Sequence, residues 1–310
     1  MSAAPPRLLD PATLASLDSM ELRARLIVEG FITGLHKSPY HGFSVEFAEH
    51  RGYNPGDDPR HLDWKVYGRS DRLYLKQYEE ETNLRHYVVL DTSASMRFRF
   101  NAPVSKLTYG CYLAAALHYM MIRQRDATGL IAFDDGIHTM MPPKTARPYL
   151  RTLLAKLEEI STAPDARTGG RTAAAAALHE VAERIARRSL VVVITDLFEN
   201  VGEHDALIKA LQHLRYRGHE VVVFHVLEAA TERRFDFPNV PMVFRDAETG
   251  EEVTVQPAQL RERYREAADA FSSEIRRRCR ERRIDYVEVD TAEPFDKALT
   301  AYLNKRRRLF

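Results

Sequence analysis

From residue 85 onward the chain alternates between two rhythms. Near-continuous apolar runs occur at 86–91 (HYVVLD), 128–133 (TGLIAF), 189–195 (SLVVVIT) and 220–226 (EVVVFHV). Between them lie stretches with apolar residues at helical spacing, at about 104–125, 145–160, 172–188 and 203–217. An apolar run without alternation marks a strand covered on both faces. Strands and helices in alternation predict a largely parallel sheet sandwiched between helices. Asp135-Gly136 is a hairpin signal, so Ile137–Met141 should fold back as an antiparallel edge strand.

After residue 228 the pattern changes. MVFRD and EEVTV flank an Ala-Glu-Thr-Gly turn, a long charged helix follows at about 257–282, then a strand at Ile284–Asp290 and a helix at Phe295–Leu303. Residues 229–283 read as a hairpin-helix insertion made before the last strand returns to the sheet. Upstream, residues 1–17 are rich in Pro and Ala and read as a loose tail. Leu22, Leu26, Ile27, Phe31 and Leu35 recur at helical spacing. The stretch HRGYNPGDDPRHLDWKVYGRSDR is turn-like, and Leu73–Tyr78 a candidate strand. The expected division is 1–84, a tail, helix and irregular segment packing on the core, and 85–310, the α/β domain.

The first apolar run ends in chemistry. Asp91, Ser93 and Ser95 follow one another at alternate positions. In an extended segment alternate side chains point the same way. They should converge just past the strand's carboxyl end, where open α/β sheets place their ligands. One carboxylate and two hydroxyls make a hard-oxygen donor set suited to Mg²⁺. SLVVVIT runs into Thr195-Asp196-Leu197, which puts Asp196 at a second strand's carboxyl end. The loop Arg167–Thr172 (RTGGRT) opens the alanine-rich helix, with Thr172 at its cap position facing the same rim. Asp91, Ser93, Ser95, Thr172 and Asp196 form a set able to surround one octahedral ion. The plainer reading is a polar strand-to-helix turn whose hydroxyls cap the next helix.

Asp-x-Ser-x-Ser after a strand, a Gly-Arg-Thr loop and a strand-terminal Thr-Asp resemble the metal-ion-dependent adhesion site of von Willebrand factor A (vWA) domains. That resemblance implies a Rossmann-like vWA fold. It makes Ser93 and Ser95 direct ligands, Thr172 a direct or water-mediated one, and Asp91 and Asp196 mainly water-mediated. vWA domains usually carry Gly after the last Asp; here it is Leu197, a departure that bears on the outer loop. The segment GLHKSPYHGFSVEFAEHRGYNPGDDPRHLDWKVYGRSDRLYLKQYEEETN, followed by DTSASM, resembles the bacterial "domain of unknown function 58" proteins. These are vWA-like proteins encoded beside MoxR-type AAA+ ATPases. The resemblance implies a cytoplasmic protein paired with such an ATPase and supplies no biochemical activity; joined to the metal site, it leads to the expectation of a non-enzymatic adaptor or co-chaperone that meets the ATPase, or its client, through an acidic side chain. A site of mostly neutral ligands should hold Mg²⁺ (or Mn²⁺ or Ca²⁺ in its place) weakly until that carboxylate joins.

Composition narrows the alternatives. Net charge is +1, so global electrostatics select no partner. Cys111 and Cys279 make no disulfide framework or thiolate metal site. The N-terminus lacks the basic start and apolar core of a secretory signal, and no stretch is apolar enough to span a bilayer, so a cytoplasmic location is expected. His36, His41, His50 and His61 match no compact zinc spacing. The acids Asp57, Asp58, Asp63 and 79–81 read as turn and ion-pair residues rather than a catalytic cluster. The basic runs 276–283 and 305–308 lack interleaved aromatic residues, so a solvated face is expected rather than nucleic-acid binding. The rival function is a Mg²⁺-dependent phosphoryl-transfer enzyme with Asp91 as nucleophile. Such enzymes resemble this chain at the first strand but place a second Asp two residues later, where this chain has Ser93.

Overall fold

The computed structural model describes residues 10–37, 51–52, 67–69, 72–75, 85–163, 174–197, 204–246 and 250–307. The chain divides into two compact units, Met1–Ile32 with Leu84–Phe310, and Thr33–Asn83. In the second unit β1 (Arg51–Gly52) pairs antiparallel with β2 (Tyr74–Leu75); of the expected strand at Leu73–Tyr78, Leu73 precedes β2, while residues 76–78 and the GDDPRHLDW segment lie outside the described residues.

The first unit is built on a six-stranded sheet. Its strands are β3 (Arg85–Asp91), β4 (Ala127–Phe133), β5 (Ile137–Lys144), β6 (Ser189–Thr195), β7 (Glu220–Leu227) and β10 (Asp285–Asp290). Their spatial order is β10-β7-β6-β3-β4-β5, and only β5 runs antiparallel to its neighbour. Ranked by position in the chain, that order reads 3-2-1-4-5-6 from the β5 edge, the doubly wound order. This is the α/β, Rossmann-like, vWA-type fold expected from the sequence, with its one antiparallel edge strand. β5 runs past the expected Met141 through Pro142 and Pro143. Prolines are tolerated there because an edge strand can do without their missing N–H groups. The register with β4 shifts between Thr128 and Leu130, and a Cβ at the intervening Gly129 would lie 2.5 Å from the Met141 carbonyl oxygen.

The central strands form because apolar runs bury both faces. Tyr87, Val89, Val191, Val193, Val221 and Val223 share one core with α5 (Ala174–Arg184), α6 (His204–Tyr216) and Ile275 and Cys279 of α7 (Pro257–Glu281). The alternate residues Leu90 and Ile194 meet α3 (Lys106–Arg123) on the opposite face. A Cβ at Gly110 would stand 3.2 Å from each, so glycine sets how closely this helix approaches the sheet. α8 (Asp296–Arg307) lies on the same face, where Phe295 just before it stacks on Tyr109 of α3 at 4.3 Å.

Two expectations are corrected. The tail is not wholly loose: Asp10 caps a short helix α1 (Pro11–Ala15) whose Leu14 is fully buried. Arg23, on α2 (Met20–Lys37), ties it down by accepting company from three sides. Its Nε donates to Leu14 O (3.1 Å), its Nη1 pairs with Glu158 of α4 (Arg147–Thr162) at 3.0 Å, and its guanidinium lies 5.0 Å from the Tyr112 ring centroid. The second correction concerns 229–283. α7 is the crossover helix of the parallel β7–β10 pair, burying Ser272, Ile275 and Cys279, so it belongs to the sheet's own architecture. The added parts are a π-helical turn (Ala229–Arg233) and the hairpin β8 (Met242–Arg245) with β9 (Glu252–Val255). Several side chains of the basic runs are engaged within the chain: Arg277 pairs with Glu274 and Glu281, Arg278 with Asp205, Lys305 with Glu220 and Asp285, and Arg306 with Asp126. Among the described residues no helix is long and apolar enough to cross a membrane.

Candidate functional site

β3 and β6 are neighbours that wind away in opposite directions, and both end at the same rim. In a doubly wound sheet this is the topological switch point, where the strand ends leave a crevice. Asp91 closes β3 and Thr195-Asp196 closes β6, so the sheet order itself brings these residues together.

The loop after Asp91 is organised by that carboxylate. Asp91 Oδ1 accepts the Ser93 N–H (2.9 Å), and its Oδ2 accepts the Thr195 hydroxyl (2.6 Å). Thr92 turns the other way, its N–H and hydroxyl both donating to Phe133 O at 2.8 Å. A short 3₁₀ turn, Ser95–Arg97, then brings Ser95 back over Ser93, with the two hydroxyl oxygens 3.0 Å apart. Asp91, Ser93 and Ser95 are 2–6% exposed, so their oxygens stand at the floor of the rim. Adjacent ligands of an octahedral Mg²⁺, each at about 2.0–2.1 Å, are about 2.9 Å from one another. The hydroxyl spacing therefore fits two neighbouring vertices of such an ion, and the donors are of the right hardness.

Asp196 sits next to this set but is not idle. Its Oδ2 accepts from the Lys106 ammonium at 2.7 Å, both side chains being at most 2% exposed. The same ammonium donates to Glu232 of the π-helical turn and lies 5.6 Å from the Phe98 ring centroid. Burial alone lowers the Lys106 pKa; the charges of Asp196 and Glu232 outweigh it and hold the group ionised above its ordinary range. Burial and the Asp196 charge push Asp91 up to about 7, against the hydrogen bonds from Thr195 and Ser93. His225, near the end of β7, is kept neutral: burial lowers it to about 4 against the pull of Asp196 and Glu288. Its Nδ1 is 2.6 Å from the Tyr286 hydroxyl. The turn also anchors the loop after the site, because the buried Glu228 carboxylate accepts the N–H groups of Phe100 (2.8 Å) and Asn101 (2.6 Å).

Of the five residues singled out from the sequence, Asp91, Ser93, Ser95 and Asp196 lie at one rim. Thr172 lies outside the described residues, as do His41, His50 and His61. Among the described residues no three of His, Cys, Asp and Glu converge on a metal position, so any ion here depends on the serine hydroxyls. Sequence reasoning missed Lys106, Glu228 and Glu232, and read Thr195 only as part of the strand-terminal Thr-Asp, with no role of its own. One signal was available for Lys106: a lone cation opening an otherwise apolar helix, where its charge opposes the macrodipole.

Several known proteins are similar to this chain. An uncharacterised protein of Mycobacterium tuberculosis is 28% identical over 302 residues, covering 96% of this chain and 91% of its own length, and one of Mycobacterium bovis matches equally. The BatB conserved hypothetical protein of Bacteroides thetaiotaomicron, known from its crystal structure, is 18% identical with a TM-score of 0.47, over 72% of this chain and 99% of that one. An aerotolerance-related membrane protein of Bacteroides fragilis is 21% identical with a TM-score of 0.49, over 73% and 99%. Residues 49–274, well over half of the chain, match the family described as "Protein of unknown function DUF58", and the chain belongs to that family.

Proposed function

We propose that this chain is a non-enzymatic protein-binding module that presents a Mg²⁺ ion at the switch point of its sheet. Ser93 and Ser95 bind the ion directly, Asp91 and Asp196 support it mainly through water, and Thr172 completes the protein's share. An acidic side chain of the partner supplies the remaining ligand. The partner is a MoxR-type AAA+ ATPase or a client it remodels, which makes the chain an adaptor whose energy source is the ATPase. The reading rests on one observation above all, the two hydroxyls 3.0 Å apart over Asp91 at the rim. The partner rests on the family resemblance.

The phosphoryl-transfer alternative asks Asp91 to attack as a nucleophile. Both of its oxygens are hydrogen-bonded and the side chain is buried, so neither is presented to a substrate. Ser93 cannot replace the carboxylic acid such enzymes use to protonate the leaving group. Both facts support the binding-module reading.

The test is association of the full chain with a purified MoxR-type ATPase, in Mg²⁺ and in EDTA. Binding in Mg²⁺ that disappears in EDTA and in the double variant Ser93→Ala/Ser95→Ala is expected. Equal binding in all three conditions contradicts metal-bridged docking.

A further inference from the structure

The rim contains a fixed positive charge that the metal-binding reading does not use. Lys106 is the first residue of α3, 1% exposed, and its ammonium joins Asp196 at the end of β6 to Glu232 in the turn after β7. A buried ammonium is stable only when paired and hydrogen-bonded. Nothing in the helix calls for it, because a cation at a helix N-terminus opposes the macrodipole. Its geometry is explained by Asp196 and Glu232, which come from two other elements.

We propose that Lys106 is an internal counter-cation that sets how weakly the rim holds a divalent ion. This rests on the metal-binding reading of the same site and adds the regulation of its affinity. A divalent ion approaching Asp196 meets a carboxylate already neutralised and an ammonium that repels it at short range, where water screens little. Asp91 has both oxygens engaged by Thr195 and Ser93. The ion is therefore met mainly by the neutral hydroxyls of Ser93 and Ser95, and a carboxylate from a partner is needed to hold it. Glu232 gives the ammonium a second acid to rest on when the ion draws Asp196 toward itself. Lys106 thus makes metal and partner bind together rather than in turn.

A clamp that only stabilises the fold predicts a different result, so metal affinity separates the two. The experiment is Mn²⁺ titration of the full chain, followed by calorimetry, for the parent, Lys106→Met, Lys106→Met/Glu232→Gln and Lys106→Arg. The double variant removes the ammonium with one of its acids, leaving Asp196 for the ion, and guards against a single variant that does not fold. The parent should bind weakly. Lys106→Met and the double variant should bind about tenfold tighter or more. Lys106→Arg should stay within about threefold of the parent. Mn²⁺ should also raise the unfolding midpoint of Lys106→Met more than that of the parent. If the parent binds Mn²⁺ and the two ammonium-free variants bind no tighter, Lys106 does not set the affinity and the metal reading stands without it. If no chain binds Mn²⁺, the metal reading is lost and this inference with it. Failure of both ammonium-free variants to fold even in excess Mn²⁺ overturns the inference, because the ion should replace the missing counter-charge. Tight binding by Lys106→Arg overturns it as well.

Discussion

Asp91 is placed by donors from two different strand ends, and the shorter of its hydrogen bonds comes from a residue absent from the sequence-derived set. Thr195 Oγ1 donates to Asp91 Oδ2 at 2.6 Å while accepting the Leu197 N–H at 3.1 Å. Replacing that hydroxyl with a methyl group leaves a buried carboxylate oxygen short of a donor at nearly constant volume. Thr195→Val should therefore cost about 1–3 kcal/mol of stability, read from urea unfolding at pH 8, where Asp91 is ionised. A loss below about 0.5 kcal/mol would mean that Asp91 takes its donor from elsewhere. At this scale the sequence was partly legible. The alternation Asp91, Ser93, Ser95 located the donors because period two is a property of extended backbone alone. The engagement of Asp196 by Lys106 was not legible, since it joins residues ninety positions apart through the sheet order. Leu197 occupies a position that suits glycine: its φ is +54°, in the left-handed region. This chain offsets that strain by burying the leucine in the core shared with α5 and α6.

Among the elements, β3, β4 and α3 are stitched together at the end away from the rim by a buried polar trio. His86 Nδ1 and His118 Nδ1 lie 2.9 and 2.7 Å from the Thr128 hydroxyl, and all three residues are fully buried. One imidazole can receive the hydroxyl proton while the other donates to its oxygen, an arrangement two neutral rings satisfy. Burial lowers His118 to about 3; His86 is lowered well below its ordinary value by burial, with His118 and Arg306 adding to it. In the unfolded chain both titrate near about 6.5. Below that pH the unfolded state binds the additional protons, so stability is full above it and falls as pH drops toward the folded values. Each histidine should contribute a loss of about 1.4 kcal/mol per pH unit once the pH is well under 6.5. Urea unfolding from pH 7.5 to 4.5 should show the decline, and His118→Gln should make it shallower by about one histidine's share. A slope unchanged by that variant contradicts the assignment.

Strand and helix positions were the most legible feature of the chain, because apolar runs and helical spacing report burial directly. β3, β6 and β7 lie within a residue of their sequence-derived bounds. α1 was hidden by its Pro/Ala composition, although Asp10 followed by a proline at the first helical position is a start signal. The role of α7 was hidden for a different reason. Its hydropathy is that of a charged, mostly exposed helix, and only Ser272, Ile275 and Cys279 along its inner stripe mark it as a sheet-covering crossover.

For the molecule as a whole, the site is a consequence of topology. Two strands that wind away from each other end in Asp91 and Asp196, and the turn following a third strand supplies Glu232. The segment following the π-helical turn joins the loop after Ser95 to the β8–β9 hairpin through ring contacts: Phe100 packs on Phe237 at 5.0 Å, and Phe237 on Phe244 at 4.9 Å. Family membership and the 28% identical mycobacterial relatives carry no activity with them, so the function must be decided at the rim. The most direct measurement is an anomalous difference map from crystals of the full chain grown in excess Mn²⁺ with acetate, which supplies the external carboxylate. The expected map has one peak at the rim, at bonding distance from Ser93 Oγ and Ser95 Oγ, with acetate as a further ligand. A rim without a peak, with the two hydroxyls still bonded to each other and Asp196 still on Lys106, would contradict the metal-presenting module.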